Sequence, residues 1–181
     1  MSSGSNIELP VQLRPARPDD LDFVTELSGE VFNVFGAYDA FLPKYLDHPD
    51  VITTVTQLGP DRVGFTMFAL VVSETPLPWL APPGPSSLES GGQLWVDAEM
   101  VAIAVAPRWQ DKGVGRQQLR ALIALARERS RDRSIRSLQL NVADDNRRAM
   151  GLFKSEGFRV VDEEDGRYPR GQRSIRMALE L

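Results

Sequence analysis

Cysteine is missing from this chain altogether, and histidine occurs once, at His48. Without thiols there is neither a disulfide nor a thiolate metal site, and one imidazole cannot build a histidine-rich centre. No bound metal is therefore expected. No apolar run reaches the ~18 residues that a membrane-spanning helix needs. The opening MSSGSNIELP carries neither the basic stretch nor the apolar core of a secretory signal, so a cytoplasmic protein with no membrane partner is expected. With 21 Lys and Arg against 25 Asp and Glu, the net charge of −4 argues against nucleic acid as the main partner. Two familiar phosphate loops are also lacking. The string G-x-x-x-x-G-K-[ST] occurs nowhere, and a dinucleotide fingerprint fails at Gln118, where its third glycine would stand.

What is present suits one globular domain: 181 residues, 42% hydrophobic and 25% charged. A chain of this length buries about 70% of its unfolded surface, enough for a real core. Residues 1–8 read as a loose tail and 9–181 as a single domain. TPLPWLAPPGPSSLESGG, residues 75–92, packs five prolines and three glycines into a loop insertion in which Trp79 and Leu80 can dock. Residues 11–14 alternate as a strand. Arg17-Pro18-Asp19-Asp20 opens a helix whose face is Leu21, Val24, Leu27, Ser28 and Val31 and which stops before Gly36. A second short helix is predicted over 37–46. Phe32, Phe35, Tyr38, Phe41 and Tyr45 crowd this region, either as core filling or as a substrate-facing wall. Strands follow over 52–57 and 63–73, and the sheet resumes near Leu94.

The chain is organised around residues 100–133. Met100 to Ala106 is an unbroken apolar run ended by Pro107, as in a strand covered on both faces. Gly113 and Gly115 follow in a polar turn, and then Leu119, Leu122, Ile123 and Ala126 mark the buried stripe of a helix. Such a helix start leaves about four amides without intrahelical partners and adds roughly half a positive charge. With glycines clearing the approach, it makes a cradle for phosphate or pyrophosphate; the plainer alternative is a tight connection. A strand over 137–142 comes next, so the unit is a parallel crossover. A helix capped by Asp144 or Asp145 turns Ala149, Met150, Leu152 and Phe153 inward and ends at Gly157, where a left-handed residue is wanted. Strands from Val160 and over 174–181 complete the chain.

Gln110-Asp111-Lys112-Gly113-Val114-Gly115 has the form Q/R-x-x-G-x-G/A. Together with Asn141-Val142, Asn146, Ala149, Leu152-Phe153 and Gly157-Phe158, it makes nearly the whole chain resemble the GNAT superfamily of N-acetyltransferases. The resemblance implies an α/β fold of the α+β type: a mixed sheet of about seven strands, splayed between the fourth and fifth, with helices on both faces. It implies acetyl-CoA as cosubstrate, its pyrophosphate held by Gln110, Asp111, Lys112, Gly113, Val114, Gly115 and Arg116. The pantetheine arm would pair with the backbone of Ile103 and Val105 and be flanked by Asn146 and Phe153. The reaction implied is acetyl transfer to a primary amine of a small molecule or protein by direct attack in a ternary complex; a homodimer is left open.

Glu99 matches a catalytic glutamate of some histone-type relatives and is the candidate general base, with Asp97 as fallback. Alternation sets Glu99 on one face with Val101, Ile103 and Val105. The N–H of Val105 is the candidate donor to the thioester oxygen. Two departures stand out. Many relatives have a tyrosine at Phe153 that protonates the departing thiolate, so here Tyr168, Tyr38, Tyr45 or solvent must serve. That gap keeps alive a second reading, a module that binds CoA thioesters without turnover. Asp111 places an anion in the loop, which must turn outward, with Lys112 and Arg116 compensating. His48 reads as a surface residue. Asp39, Asp47, Asp50 and the acids of 162–165 lean toward a cationic amine, and Arg167, Arg170 and Arg173 blur that lean.

Overall fold

The computed structural model describes residues 10–73, 95–133, 135 and 137–181. The expected tail and the 75–92 insertion, with Trp79 and Leu80, lie outside the described residues. Alternating segments and the apolar run from Met100 become the strands β1 (Gln12–Pro15), β2 (Val51–Leu58), β3 (Asp61–Ser73), β4 (Trp95–Val105), β5 (Ser137–Ala143), β6 (Arg159–Asp162) and β7 (Ser174–Glu180). Those of period 3.6 become α1 (Leu21–Phe32), α3 (Val114–Arg133) and α4 (Arg147–Ser155), with a single turn, α2 (Tyr38–Phe41), between α1 and β2. The helix expected over 37–46 is cut short because Pro43 brings no N–H, and the chain continues as a 3-10 turn, Leu42–Tyr45.

The strands form one mixed sheet in the order β1-β2-β3-β4-β5-β7-β6. Among the described residues β4 and β5 are its parallel pair, joined through α3 as the crossover pattern requires. Their pairing covers only Ala98–Leu138, Glu99–Gln139 and Met100–Leu140, after which the two strands splay apart. The opposite edge of β4 stays zipped to β3 from Trp95 to Val105, with a register shift where Met67 faces Ala102 and Phe68 faces Met100. Val101 is thus an extra residue, a bulge, and a bulge bends its strand and sharpens the twist.

The bulge changes which face each side chain serves. Met100 and Ala98 pack with Leu119, Leu122, Ile123 and Ala126 of α3 and with Phe68, Leu138, Leu140 and Met177. Ala102 and Ala104 pack instead with Val24 and Leu27 of α1 and with Leu42, Phe65 and Met67. Helices therefore cover both faces, and each fully buried large side chain contributes about 1.5–3 kcal/mol. Glu99 lies opposite Ala69, and so on the α1 face, whereas Ile103 packs on the α3 side. The single face expected for Glu99, Val101, Ile103 and Val105 is broken by the inserted residue.

Two local details set α4. Its N-terminus is capped by Asn146, whose Oδ1 accepts from the Ala149 amide at 3.2 Å, and not by Asp144 or Asp145 as expected. Asp144 instead accepts from the backbone and Nε of Arg173, at 3.1 and 3.0 Å. At the other end the Phe158 amide reaches the Phe153 carbonyl and the Gly157 amide that of Lys154, both at 3.1 Å. The two phenyl rings meet at 5.8 Å, the apolar contact that accompanies this helix stop.

Candidate active site

The glycine turn takes the shape a cradle needs. Gly113 has φ 79°, a left-handed value that costs a side-chain-bearing residue energy. The first bond of α3 runs from the Gln117 amide to the Gly113 carbonyl at 3.1 Å, so the amides of Gly113 to Arg116 lie ahead of the intrahelical ladder. At Gly115 an added Cβ would meet Leu152 and Val105 at an ordinary 3.6 Å. The fold tolerates a side chain there, so packing alone does not require the glycine. The turn is anchored from below by Gln118, fully buried, whose Nε2 donates to Thr56 Oγ1 (2.8 Å) and to the Ala104 carbonyl (3.1 Å). Gly64 makes room for this clamp, because a Cβ there would stand 2.3 Å from the Ala104 oxygen and 2.5 Å from Gln118 Nε2. The sequence marks Gln118 only as the residue that breaks a dinucleotide fingerprint and does not mark Gly64, since their meeting is made by the sheet.

Around the cradle the charges are already committed. Gln110 Nε2 donates to the Val105 carbonyl at 2.9 Å, and its Oε1 accepts from Arg148 Nη1 at 2.7 Å. Arg148 also pairs with Asp111 at 2.8 Å. The Asp111 side chain is 82% exposed and turned outward, as expected. Its cation is Arg148 in the first turn of α4, reaching across the open end of the sheet, and not Arg116. Arg116 and Arg120 hold Glu156 at 2.6 and 2.9 Å, and these bonds, Arg120's the larger, keep the Glu156 carboxyl below its usual range. Lys112 places its ammonium 4.8 Å from the Trp109 ring centroid. The string that marks the loop carries no hint of Arg148, which only the tertiary fold brings near.

The splay opens the site. Ala106 donates back to Val63 of β3 at 2.9 Å, so alternation aims the amides of Val105 and Ile103 the other way, toward the missing part of β5. A cavity of about 460 Å³ begins where the strands part. One wall is Glu99 to Ile103 of β4; the other is Asn141 to Ala143 with Asn146, Ala149 and Phe153. Phe32, Phe35, Tyr38 and Phe41 line its far end, faced by Asp165 to Pro169 of the β6–β7 loop. Val105 is not among the lining residues. The Glu99-to-Val105 stretch of an extended strand spans roughly 20 Å, so those two cannot meet at one carbonyl carbon. Asp97 pairs through its backbone with Val71, and its side chain lies outside the described residues.

The tyrosines separate clearly. Tyr45 packs on Phe41 and His48, away from the cavity lining. Tyr38 and Tyr168 line it, and burial pushes both phenols above their ordinary value. For Tyr168 the neighbouring Tyr38 adds to the rise and a hydrogen bond with Ser174 opposes it. Ser174 Oγ also accepts from Asn141 (3.0 Å), which donates to Asp165 (2.8 Å), and Asp165 pairs with Arg176 at 2.9 Å. A continuous polar chain thus holds the Tyr168 wall. Phe153 is 3% exposed, its ring against Phe158. The His48 side chain is 46% exposed in its loop, the surface residue expected.

A splayed mixed sheet with a glycine cradle at its open end defines a class. The profile of the acetyltransferase (GNAT) family matches residues 38–158, and the chain belongs to that family. No curated protein matches it in sequence. Among solved structures it is similar to NAA60 of Arabidopsis thaliana in complex with acetyl-CoA: TM-score 0.72, 16% identity, 95% of this chain and 99% of that one covered. It is also similar to the ribosomal-protein-S18-alanine N-acetyltransferase of Escherichia coli, with TM-score 0.68, 19% identity and 94% of each chain covered. A third is the spermidine N-acetyltransferase of Vibrio cholerae in complex with CoA and spermine, with TM-score 0.62, 19% identity and coverage of 94% and 95%. At these identities the likeness is one of fold. No helix among the described residues is long and apolar enough to cross a membrane.

Proposed function

We propose that the protein is an N-acetyltransferase that moves an acetyl group from acetyl-CoA to a primary amine in a ternary complex. The observation that carries this reading is the parting of β4 from β5 beside the cradle. It leaves strand amides at Ile103 and Val105 for an amide-bearing arm, in line with helix amides at Gly113 to Arg116 for a diphosphate. Gln110 braces the loop against Val105, and Asn146 and Phe153 flank the arm from α4. Gly115 leaves the approach clear.

The chemistry needs a neutral nitrogen. An alkyl amine of pKa near 10.4 is protonated at pH 7, and freeing its lone pair costs about 4.6 kcal/mol. Glu99, at the head of the cavity where the strands part, takes that proton as general base. The nitrogen attacks the thioester carbon, the N–C bond forms, the C–S bond breaks, and the nitrogen sheds its second proton to solvent to become the amide. Because Val105 is too far along the strand, the donor to the thioester oxygen comes from the β4 backbone at the Val101 bulge, and Val105 serves the carrier arm. The departing thiolate takes a proton from Tyr168, a phenol that burial makes a weaker donor than usual, or from solvent. Phe153 has no proton to give, and that keeps one rival reading: a domain that binds CoA thioesters without turnover.

The test is calorimetry with CoA followed by thiol release from acetyl-CoA over a panel of amines. Tight binding with no turnover on any amine selects the rival. Glu99→Gln is expected to lower turnover at pH 7 by about a hundredfold, the ordinary worth of a positioned base, with CoA affinity unchanged. The deficit should shrink as pH approaches the amine's own pKa. Unchanged turnover removes Glu99 from the role.

A further inference from the structure

The acceptor end of the cavity is built from rings. Phe32 and Tyr38 meet at 5.8 Å, Tyr38 and Phe41 edge-on at 6.4 Å, and Phe35 and Tyr168 at 5.4 Å across the loop boundary. Phe32 and Tyr38 pack against the core of this face with one side and line the cavity with the other. The core of that face is Val24, Leu27, Leu42, Phe65 and Met67 behind them, while Phe41 remains 47% exposed. Aromatic surface that faces a cavity gains about 25 cal/mol for each Å² that an apolar ligand covers.

The charges of the same wall point the same way. Of its two carboxylates, Asp165 has a side chain only 8% exposed, pairs with Arg176 at 2.9 Å and accepts a hydrogen bond from Asn141 at 2.8 Å. Arg167, on the same loop, adds a cation. Glu99 is the other carboxylate, at the end where the nitrogen must react. Among the described lining residues a second or third ammonium on the acceptor would therefore meet rings and a guanidinium, with no second carboxylate left to receive it. At about 460 Å³ the cavity is at the small end of ligand sites and must also admit the thioester end of the carrier.

Resting on the acyl-transfer reading, we infer that the acceptor is a primary monoamine whose nitrogen sits next to a compact apolar or aromatic group. A free arylalkylamine and a peptide N-terminus with an apolar first side chain share that chemistry. A polyamine or an aminoglycoside does not. Spermidine is the sharp rival, since a ring face also attracts a cation.

The experiment is thiol release at saturating acetyl-CoA with phenethylamine, Met-first and Gly-first short peptides, spermidine and kanamycin. The expected result is a kcat/KM about tenfold or more higher for phenethylamine or the Met-first peptide than for spermidine, kanamycin or the Gly-first peptide. Which of the two leads tells the small-molecule source from the peptide source. Phe41→Ser, at a half-exposed position, should raise KM for the favoured amine about tenfold while the protein still melts cooperatively and keeps its CoA affinity. Preference for spermidine or kanamycin, no turnover on any apolar amine, or indifference to Phe41→Ser overturns the inference. A CoA titration of the same preparation separates the two levels. Absence of CoA binding removes the acyl-transfer reading itself, whereas CoA binding with a polyamine preference removes only the acceptor class.

Discussion

Asp111 holds φ 58° at the lip of the cradle, a left-handed conformation that Asp tolerates better than most side chains. Its carboxylate is turned out onto Arg148, so the loop presents an acid and a base, both exposed, beside the amides proposed to take a diphosphate. An arriving anion repels the first and attracts the second. Asp111→Asn keeps the tolerant backbone, removes the repulsion and releases Arg148 from its ion pair while its bond to Gln110 remains. CoA affinity is expected to rise about fivefold, the ~1 kcal/mol of one exposed charge contact, and to fall by a similar factor in Arg148→Gln. Both effects should shrink at high salt, which calorimetry at two ionic strengths reads directly. Equal affinities in all three proteins would make the pair a surface salt bridge without a part in binding. Half of this was legible in the chain. Asp111 stands out because its charge sits inside a phosphate-loop string, whereas Arg148 is one arginine among many on a helix until the sheet sets that helix opposite the loop.

At the scale of elements, hydrophobic period shows where strands and helices lie but not where they slip. The β4–α3–β5 crossover and the helix stop at Gly157 follow from patterns visible in the chain, and the splay from the family resemblance those motifs carry. The Val101 bulge does not, because Met100 to Ala106 is apolar at every position and one inserted residue leaves no mark on such a run. That slip decides which face Glu99 joins. The cap of α4 differs from expectation for a related reason: Asp144, Asp145 and Asn146 all suit an N-cap, and Arg173 takes Asp144. Asn146 consequently has two jobs to tell apart, since Oδ1 caps α4 while the residue lines the cavity. Asn146→Ala is expected to cost about 1 kcal/mol of stability through the lost cap. Asn146→Asp keeps an oxygen for the cap but loses the amide donor, so it should melt like the parent and still bind acetyl-CoA more weakly. If the aspartate variant binds as well as the parent, Asn146 is a cap alone.

Across the whole molecule, buried ionisable groups set the pH range in which the fold survives. Asp20 read as an ordinary acid in the first turn of a helix; in the fold it is fully buried and ties three segments together. Arg14 of β1 grips it at 2.6 and 2.8 Å, the Arg17 amide donates at 2.8 Å, and Arg62 of β3 reaches it at 3.2 Å. The bond to Arg14 above all holds its carboxyl down to about 2, against an ordinary 3.8, and Glu156 is lowered in the same sense by Arg120 and Arg116. A depressed acid stabilises the fold above its unfolded pKa, and that stability drains away as pH falls through the folded value. For Asp20 the amount is about 2 kcal/mol, present at pH 4 and above and lost toward pH 2. The alkaline limit has the opposite cause. Burial raises Tyr38 and Tyr168 above their ordinary 10.0, so above pH 10 the unfolded chain ionises while the folded one resists, and stability falls as pH rises. Thermal melts from pH 2 to 11 should therefore show a plateau between about 4 and 10. Asp20→Asn should lower the plateau, because Arg14 loses its partner, and flatten the acid limb by the Asp20 share, leaving the part due to Glu156. Acid limbs that run parallel in the two proteins would show that the β1–α1–β3 junction does not govern acid unfolding.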